Sequence, residues 1–284
     1  MIAQLRRLRH GPLKFLNPAW NLLGKIYRYV LRRLPVDLHV SSHIGPYGPF
    51  KLDGRFAFTN FAARGERKKN IGFCACIEHS VGATCVIDVG AQIGLVSLPM
   101  STKMAPGGRV YSFEPAEFNR SLLERHVALN GIKNIEVIGC LVGKEDAENV
   151  EFFELDSDTG LNSVVQRDGV NGLKRSLPRQ VSLDSYCRQH NLEPQLIKID
   201  VEGAEIDVLK GAAEIIRACQ PVIFLSVHPS LIEAQGYKLS DVSVVLEELG
   251  YQCRTVEGDP VEAYEATEYI VTAKEVNNSN ARKR

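Results

Sequence analysis

From residue 84 onward, short apolar runs rich in β-branched residues alternate with helix-length stretches that mix polar and apolar positions. The runs Cys85–Val89, Arg109–Phe113, Ile135–Leu141, Leu196–Ile199, Val222–Val227, Gln252–Val256 and Tyr269–Ala273 read as seven strands. Helices are expected near 92–103, 117–130, 182–190, 204–217 and 239–249. Strands that are apolar almost throughout need cover on both faces, so the pattern predicts an α/β fold with a mostly parallel sheet. Residues 148–180 interrupt the alternation. There Val150–Leu155 and Ser163–Gln166 are expected to form a hairpin across Asp156–Gly160, inserted over the ligand-binding edge of the sheet.

The first 69 residues follow another rhythm. Asn17-Pro18 reads as a helix cap with proline at the first helical position. Trp20, Leu23, Ile26, Tyr27, Val30, Leu31 and Leu34 then recur at helical spacing until Pro35. Eight basic residues from Arg6 to Arg33 precede the first acid, Asp37. A basic amphipathic helix of this kind packs on its own domain, joins two copies in a homodimer, or lies against an anionic membrane surface. Residues 41–60 are rich in glycine and proline and read as a loop with a short strand, and 64–82 as containing a helix. The expected division is an extension over 1–69, the main domain over 70–275 and a disordered tail over 276–284.

Charge and cysteine content narrow the class. Thirty-four basic residues balance 34 acidic ones, so no nucleic-acid partner is expected from net charge. The seven cysteines are scattered, mostly inside apolar runs, and fit free thiols in a reducing compartment. No apolar run approaches the roughly 18 residues of a membrane span, and the start lacks the marks of a secretory signal. A cytoplasmic location follows, with residues 1–36 as the means of any contact with the inner membrane surface.

Two motifs carry candidate chemistry. In Val86-Ile87-Asp88-Val89-Gly90-Ala91-Gln92-Ile93-Gly94 a strand runs into a glycine turn that opens a helix. Gly90 removes a Cβ that would keep a ligand off the backbone, and Gly94 allows close approach at the helix start. Asp88 can brace the turn amides or hold a ligand's ammonium, directly or through water. In Val110-Tyr111-Ser112-Phe113-Glu114-Pro115, Glu114 ends the next strand, where a carboxylate can accept from both hydroxyls of an adenosine ribose. The loop lacks the full G-x-G-x-x-G run that a pyrophosphate requires. A phosphate-free adenosyl ligand, S-adenosylmethionine, therefore fits better than a nicotinamide dinucleotide, the rival for an oxidoreductase.

Further along, the text of VIDVGAQIGLVSL (86–98), VYSFEP (110–115), LERHVALNG (123–131), VSLDSY (181–186), LIKIDVEGAEIDVLKGA (196–212) and PVIFLSVH (221–228) resembles the FkbM family of methyltransferases. The resemblance covers roughly residues 70–273. It implies a class I methyltransferase Rossmann-like fold, a seven-stranded mostly parallel sheet with helices on both faces, and S-adenosylmethionine as donor. It also implies O-methylation of a sugar or secondary metabolite, with a small-molecule or glycan hydroxyl as acceptor. Carried over, Asp88, Gly90, Gly94 and Glu114 are cofactor residues, while Asp200 and Glu202 line the active edge.

Asp200, Glu202 and His228 are the candidate bases, all at the carboxyl ends of expected strands. His228, with an unperturbed pKa of about 6.5, would be available in its neutral form near pH 7. The three could share a divalent metal, but nothing else in the sequence demands one and none is expected. Glu205 and Asp207 read as helix surface or caps, and Asn162-Ser163 as loop groups near the acceptor or cofactor. One departure from the family stands out: Ser226 occupies a position where an acid is common, which gives a non-catalytic scaffold its foothold as an alternative.

Overall fold

A computed structural model describes residues 20, 23, 24, 27, 37–65, 72–155, 162–166 and 169–274. The expected N-terminal helix and C-terminal tail lie almost wholly outside the described residues. Trp20, Leu23, Gly24 and Tyr27 are helical where they are described. The Tyr27 hydroxyl donates to Gly54 O at 3.1 Å, and its ring meets Phe58 edge-on.

Residues 41–60, expected as a loop with one short strand, fall largely within a hairpin of β1 (His39–Ile44) and β2 (Tyr47–Asp53). Alternation explains it: Val40, Ile44, Phe50 and Leu52 point inward and are buried, while His39, Ser41, His43, Pro49 and Lys51 face water. The glycines and prolines that suggested a loop lie around its tight turn. Next comes α1 (Gly72–Glu78), then β3 (Cys85–Val89), buried at every position. The helix expected over 92–103 is only α2 (Ser97–Ser101), because Gln92 and Gly94 both take positive φ in the turn before it. Then follow β4 (Arg109–Phe113), α3 (Glu117–Leu129), β5 (Ile135–Ile138) and β6 (Leu141–Val142).

The insertion contains β7 (Phe152–Glu154), β8 (Lys174–Ser176) and β9 (Gln180–Val181). Its main pairing corrects the sequence reading: β7 pairs antiparallel with β8, and Ser163 contributes only a single bridge to Phe153. After α4 (Leu183–His190) and β10 (Leu196–Ile199), the expected long helix is split into α5 (Glu205–Lys210) and α6 (Ala213–Cys219). Gly211 sits at the break, where a Cβ would come within 2.0 Å of Gly143 O. The chain ends with β11 (Val222–Ser226), α7 (Pro229–Ala234), α8 (Asp241–Glu248), β12 (Tyr251–Thr255) and β13 (Glu268–Ala273). The short α7, with proline at its start, was not expected.

The seven-stranded sheet has the order β12-β13-β11-β10-β3-β4-β5. Pairs from β11 to β5 are parallel, and β13 runs antiparallel to both of its neighbours. This is the class I methyltransferase α/β arrangement. One face packs Ile87, Val89, Phe113, Ile197 and Ile199 against α4, α5, α6 and α8. The other packs Val86, Val110 and Leu196 against α1, α2, α3 and the hairpin. On this second face Ser112, Asp88 and Lys198 stand side by side across three strands.

Candidate active site

A cavity of about 510 Å³ opens along the carboxyl edge of the parallel strands, from the tips of β4 and β3 to those of β10 and β11. That is where an open α/β sheet offers converging loop ends to a ligand. Residues 266–268, leading into β13, complete the far wall.

At the β4 end, Glu114 is 4% exposed. Its Oε2 accepts from Gln92 N at 2.8 Å and its Oε1 from Ala116 N at 3.0 Å. Burial outweighs these bonds and pushes its carboxyl up to about 7. Asn119, one turn into α3, lines the same end, and its buried Oδ1 has no partner among the described residues.

Gly90 and Gln92 line the cavity, whereas Asp88 and Gly94 do not. Gly90 has φ +82°, and a Cβ there would lie 1.9 Å from Asp200 O, so its missing side chain first admits the neighbouring loop. At Gly94 a Cβ would lie 2.4 Å from Leu123 Cδ1, so this glycine serves helix packing. Asp88 neither braces turn amides nor faces the cavity. It is fully buried, its Oδ2 accepts from Ser97 Oγ at 2.5 Å, and its Oδ1 lies 3.6 Å from Lys198 Nζ. Asp88 thus ties the turn to α2 from beneath.

The other end is dense with charge. Lys198, 4% exposed, donates to Asp200 Oδ2 at 3.2 Å. Burial would raise the Asp200 carboxyl, but Lys198, His228 and Arg64 outweigh it and hold it below the usual range. Glu202 takes a left-handed φ of +52° beside Gly203 at +112°, a conformation that costs a non-glycine residue about 1–2 kcal/mol. Ser163 Oγ donates to Glu202 O at 2.7 Å, fixing this turn against the insertion.

The structure brings the three expected acceptor-side residues together. His228 Nε2 lies 3.7 Å from Asp200 Oδ1 and 3.6 Å from Glu202 Oε1. Its Nδ1 meets Glu205 Oε1 at 2.6 Å. Burial alone would lower the imidazole; the Glu205 hydrogen bond, Glu202 and Asp200 push it up to about 9. These carboxylates favour the imidazolium over the neutral base that its ordinary pKa suggested. Glu205, read as helix surface or a cap, is fully buried at the start of α5 and also accepts from Gly203 N at 3.1 Å, as a capping acid does. Ligand atoms of Asp200, Glu202 and His228 lie within 4.8 Å of one another, the one such described group able to share a metal ion.

Several cavity residues were missed from sequence. Arg64, Asn119 and Glu268 line it, and Lys198 supports it. Lys198 carried a signal, a lone cation inside an apolar strand. Glu268 stands opposite Ser226 in the β11–β13 ladder, so a carboxylate absent from one strand is present on its neighbour. Asn162, already flagged, lines the cavity with a buried Nδ2 that has no described partner.

The profile of the methyltransferase FkbM domain matches residues 88–253. Methyltransferase 1 of Beauveria bassiana (strain ARSEF 2860) is 26% identical over 181 residues, 55% of this chain and 72% of that protein. Methyltransferase sdnD of Sordaria araneosa is 30% identical over 157 residues, 45% of this chain and 60% of that protein. The crystal structure of methyltransferase FkbM from Methylobacillus flagellatus KT aligns at 22% identity with a TM-score of 0.44, covering 67% of this chain and 43% of that one. The chain thus spans less than two thirds of the length of the last two.

Proposed function

The chain belongs to the FkbM methyltransferase family, and from that premise we propose that it moves a methyl group from S-adenosylmethionine to a hydroxyl of a small molecule or glycan. The observation that carries this reading is that one cavity touches both Glu114 and the Asp200–Glu202–His228 cluster. The residues present fit the donor. Glu114 offers a carboxylate at ribose height, the unpartnered Asn119 Oδ1 offers an acceptor beside it, and the acid-rich far end suits a sulfonium. Asp88, Gly90 and Gly94 shape the turn between the two ends.

When bound, the donor supplies a methyl carbon already activated for displacement. The chain's task is then alignment, which is worth about 7–11 kcal/mol in favourable systems. Asp200 and Glu202 orient the acceptor hydroxyl and take its proton at a carboxylate oxygen. His228, with both ring nitrogens facing carboxylates, holds these groups apart and in place. Glu205 fixes the ring from behind. The hydrogen bond from Ser163 to Glu202 O holds the insertion against the same end.

Incubation with methyl-labelled S-adenosylmethionine and fractionated metabolites tests the reading. Mass spectrometry should place the label on an oxygen, and Glu114→Ala should abolish transfer. Label on nitrogen or carbon would overturn hydroxyl acceptance, and unimpaired transfer by Glu114→Ala would overturn the cofactor site.

A further inference from the structure

Arg64 is the single arginine or lysine among the described residues that line the cavity. Its Nε is buried and has no hydrogen-bond partner among the described residues. Leaving a buried cationic donor unmade is costly, and such a group is ordinarily satisfied by whatever occupies the space it faces. The guanidinium is held from behind by the Phe73 ring, 5.4 Å from its centroid. Asp200 and Glu268, both on the cavity wall, are the acids that act on it most strongly.

Glu268 is also restrained. Its Oε2 accepts from Gly72 N at 3.0 Å, which ties the first residue of β13 to the start of α1. Gly72 packs closely there: a Cβ would lie 3.1 Å from Glu268 Cβ. A cation and an acid thus stand together at the end of the cavity away from Glu114. Glu114 follows β4 and Asp200 follows β10, with β3 between them. Two strand spacings make that separation about 10 Å. Glu268 starts from β13, two strands further along, and its carboxylate comes within electrostatic reach of Asp200, Lys198 and Arg64, so an adenosyl ligand with an amino-acid arm can bridge the span. The arm ends in a carboxylate and an ammonium, which call for one cation and one acid.

We propose that Arg64 and Glu268 cradle the amino-acid end of the cofactor, Arg64 binding its carboxylate and Glu268 its ammonium, an assignment that rests on the methyltransferase reading above. Both residues lie outside the stretch matched by the family profile, 88–253, so that match does not assign them. An anionic group on the acceptor is the competing occupant for Arg64, and the choice of probes separates the two.

Calorimetric titration of the full chain with S-adenosylhomocysteine and with 5′-methylthioadenosine, which lacks the amino-acid arm, provides the test. Arg64→Gln and Glu268→Gln should each weaken S-adenosylhomocysteine by about 10- to 100-fold, the loss of a hydrogen bond to a charged group. Binding of 5′-methylthioadenosine should change less than about twofold, which also shows that the variants are folded. Arg64→Lys should recover part of the loss. Equal losses for both ligands, or none for S-adenosylhomocysteine, would overturn the cradle. If the unaltered chain binds neither ligand, the adenosyl reading fails and the cradle with it. If it binds both and only the variants behave unexpectedly, the cradle alone fails.

Discussion

The two ends of the cavity solve the same problem in opposite ways. At the β3–β4 end, polar groups are presented with little net charge: a bare glycine turn and a carboxyl that burial biases toward its neutral form. At the β10–β11–β13 end, charge is abundant but compensated, with Lys198 between two aspartates and His228 among three carboxylates. One end awaits hydrogen-bond donors from a ligand, while the other is already an electrostatic lattice. Desolvation governs the first and pairing the second, so the same kind of substitution should have different consequences at each.

Removing the central cation should give the largest effect. Lys198→Met leaves Asp88 and Asp200 without their buried partner, which costs about 3–5 kcal/mol for a broken buried pair. Urea unfolding measures it; a loss below about 1 kcal/mol would mean that the β10–β11–β13 end does not depend on compensation. Next is Gly90→Ala at the seam between the ends. The left-handed penalty and the clash with Asp200 O together amount to about 3 kcal/mol. Thermal unfolding should show the loss, and a variant as stable as the parent would deny the close approach of the two loops.

The smallest effect is a pH dependence confined to the β4 end. A ligand that donates to Glu114 binds the ionised carboxylate. Affinity for S-adenosylhomocysteine should therefore fall as pH drops below about 7, by at most about tenfold per unit. The stability contribution has the opposite sign. A carboxyl whose folded pKa is raised from 4.5 to about 7 destabilises the fold as pH climbs through that window, and does so fully above it. Glu114→Gln should flatten both trends in calorimetric and unfolding titrations. A pH dependence that survives in the variant would place it elsewhere.

The difference between the ends also explains what could be read from sequence. The β4 end is built from two short segments, 86–94 and 110–115, in which strand, turn and acid are contiguous. Seven strands, their order of occurrence and the gathering of Asp200, Glu202 and His228 were likewise visible, because each acid or imidazole follows a strand end. Arg64 and Glu268 were not, since residues 204 positions apart meet only through the sheet order and the docking of α1. Nor was the role of Glu205, whose burial depends on where His228 arrives. The hairpin at 39–53 was obscured by glycine and proline, which mark its turn as readily as they mark a loop.

β13 enters the sheet last in chain order yet inserts between β12 and β11, and its leading residues 266–268 complete the cavity wall. During synthesis on the ribosome, the turn and Glu114 have emerged long before that wall exists. A chain shortened at residue 253 would keep the whole stretch recognised by the family profile. It would nonetheless present an open shelf, having lost β13, one of the two strands that β11 pairs with.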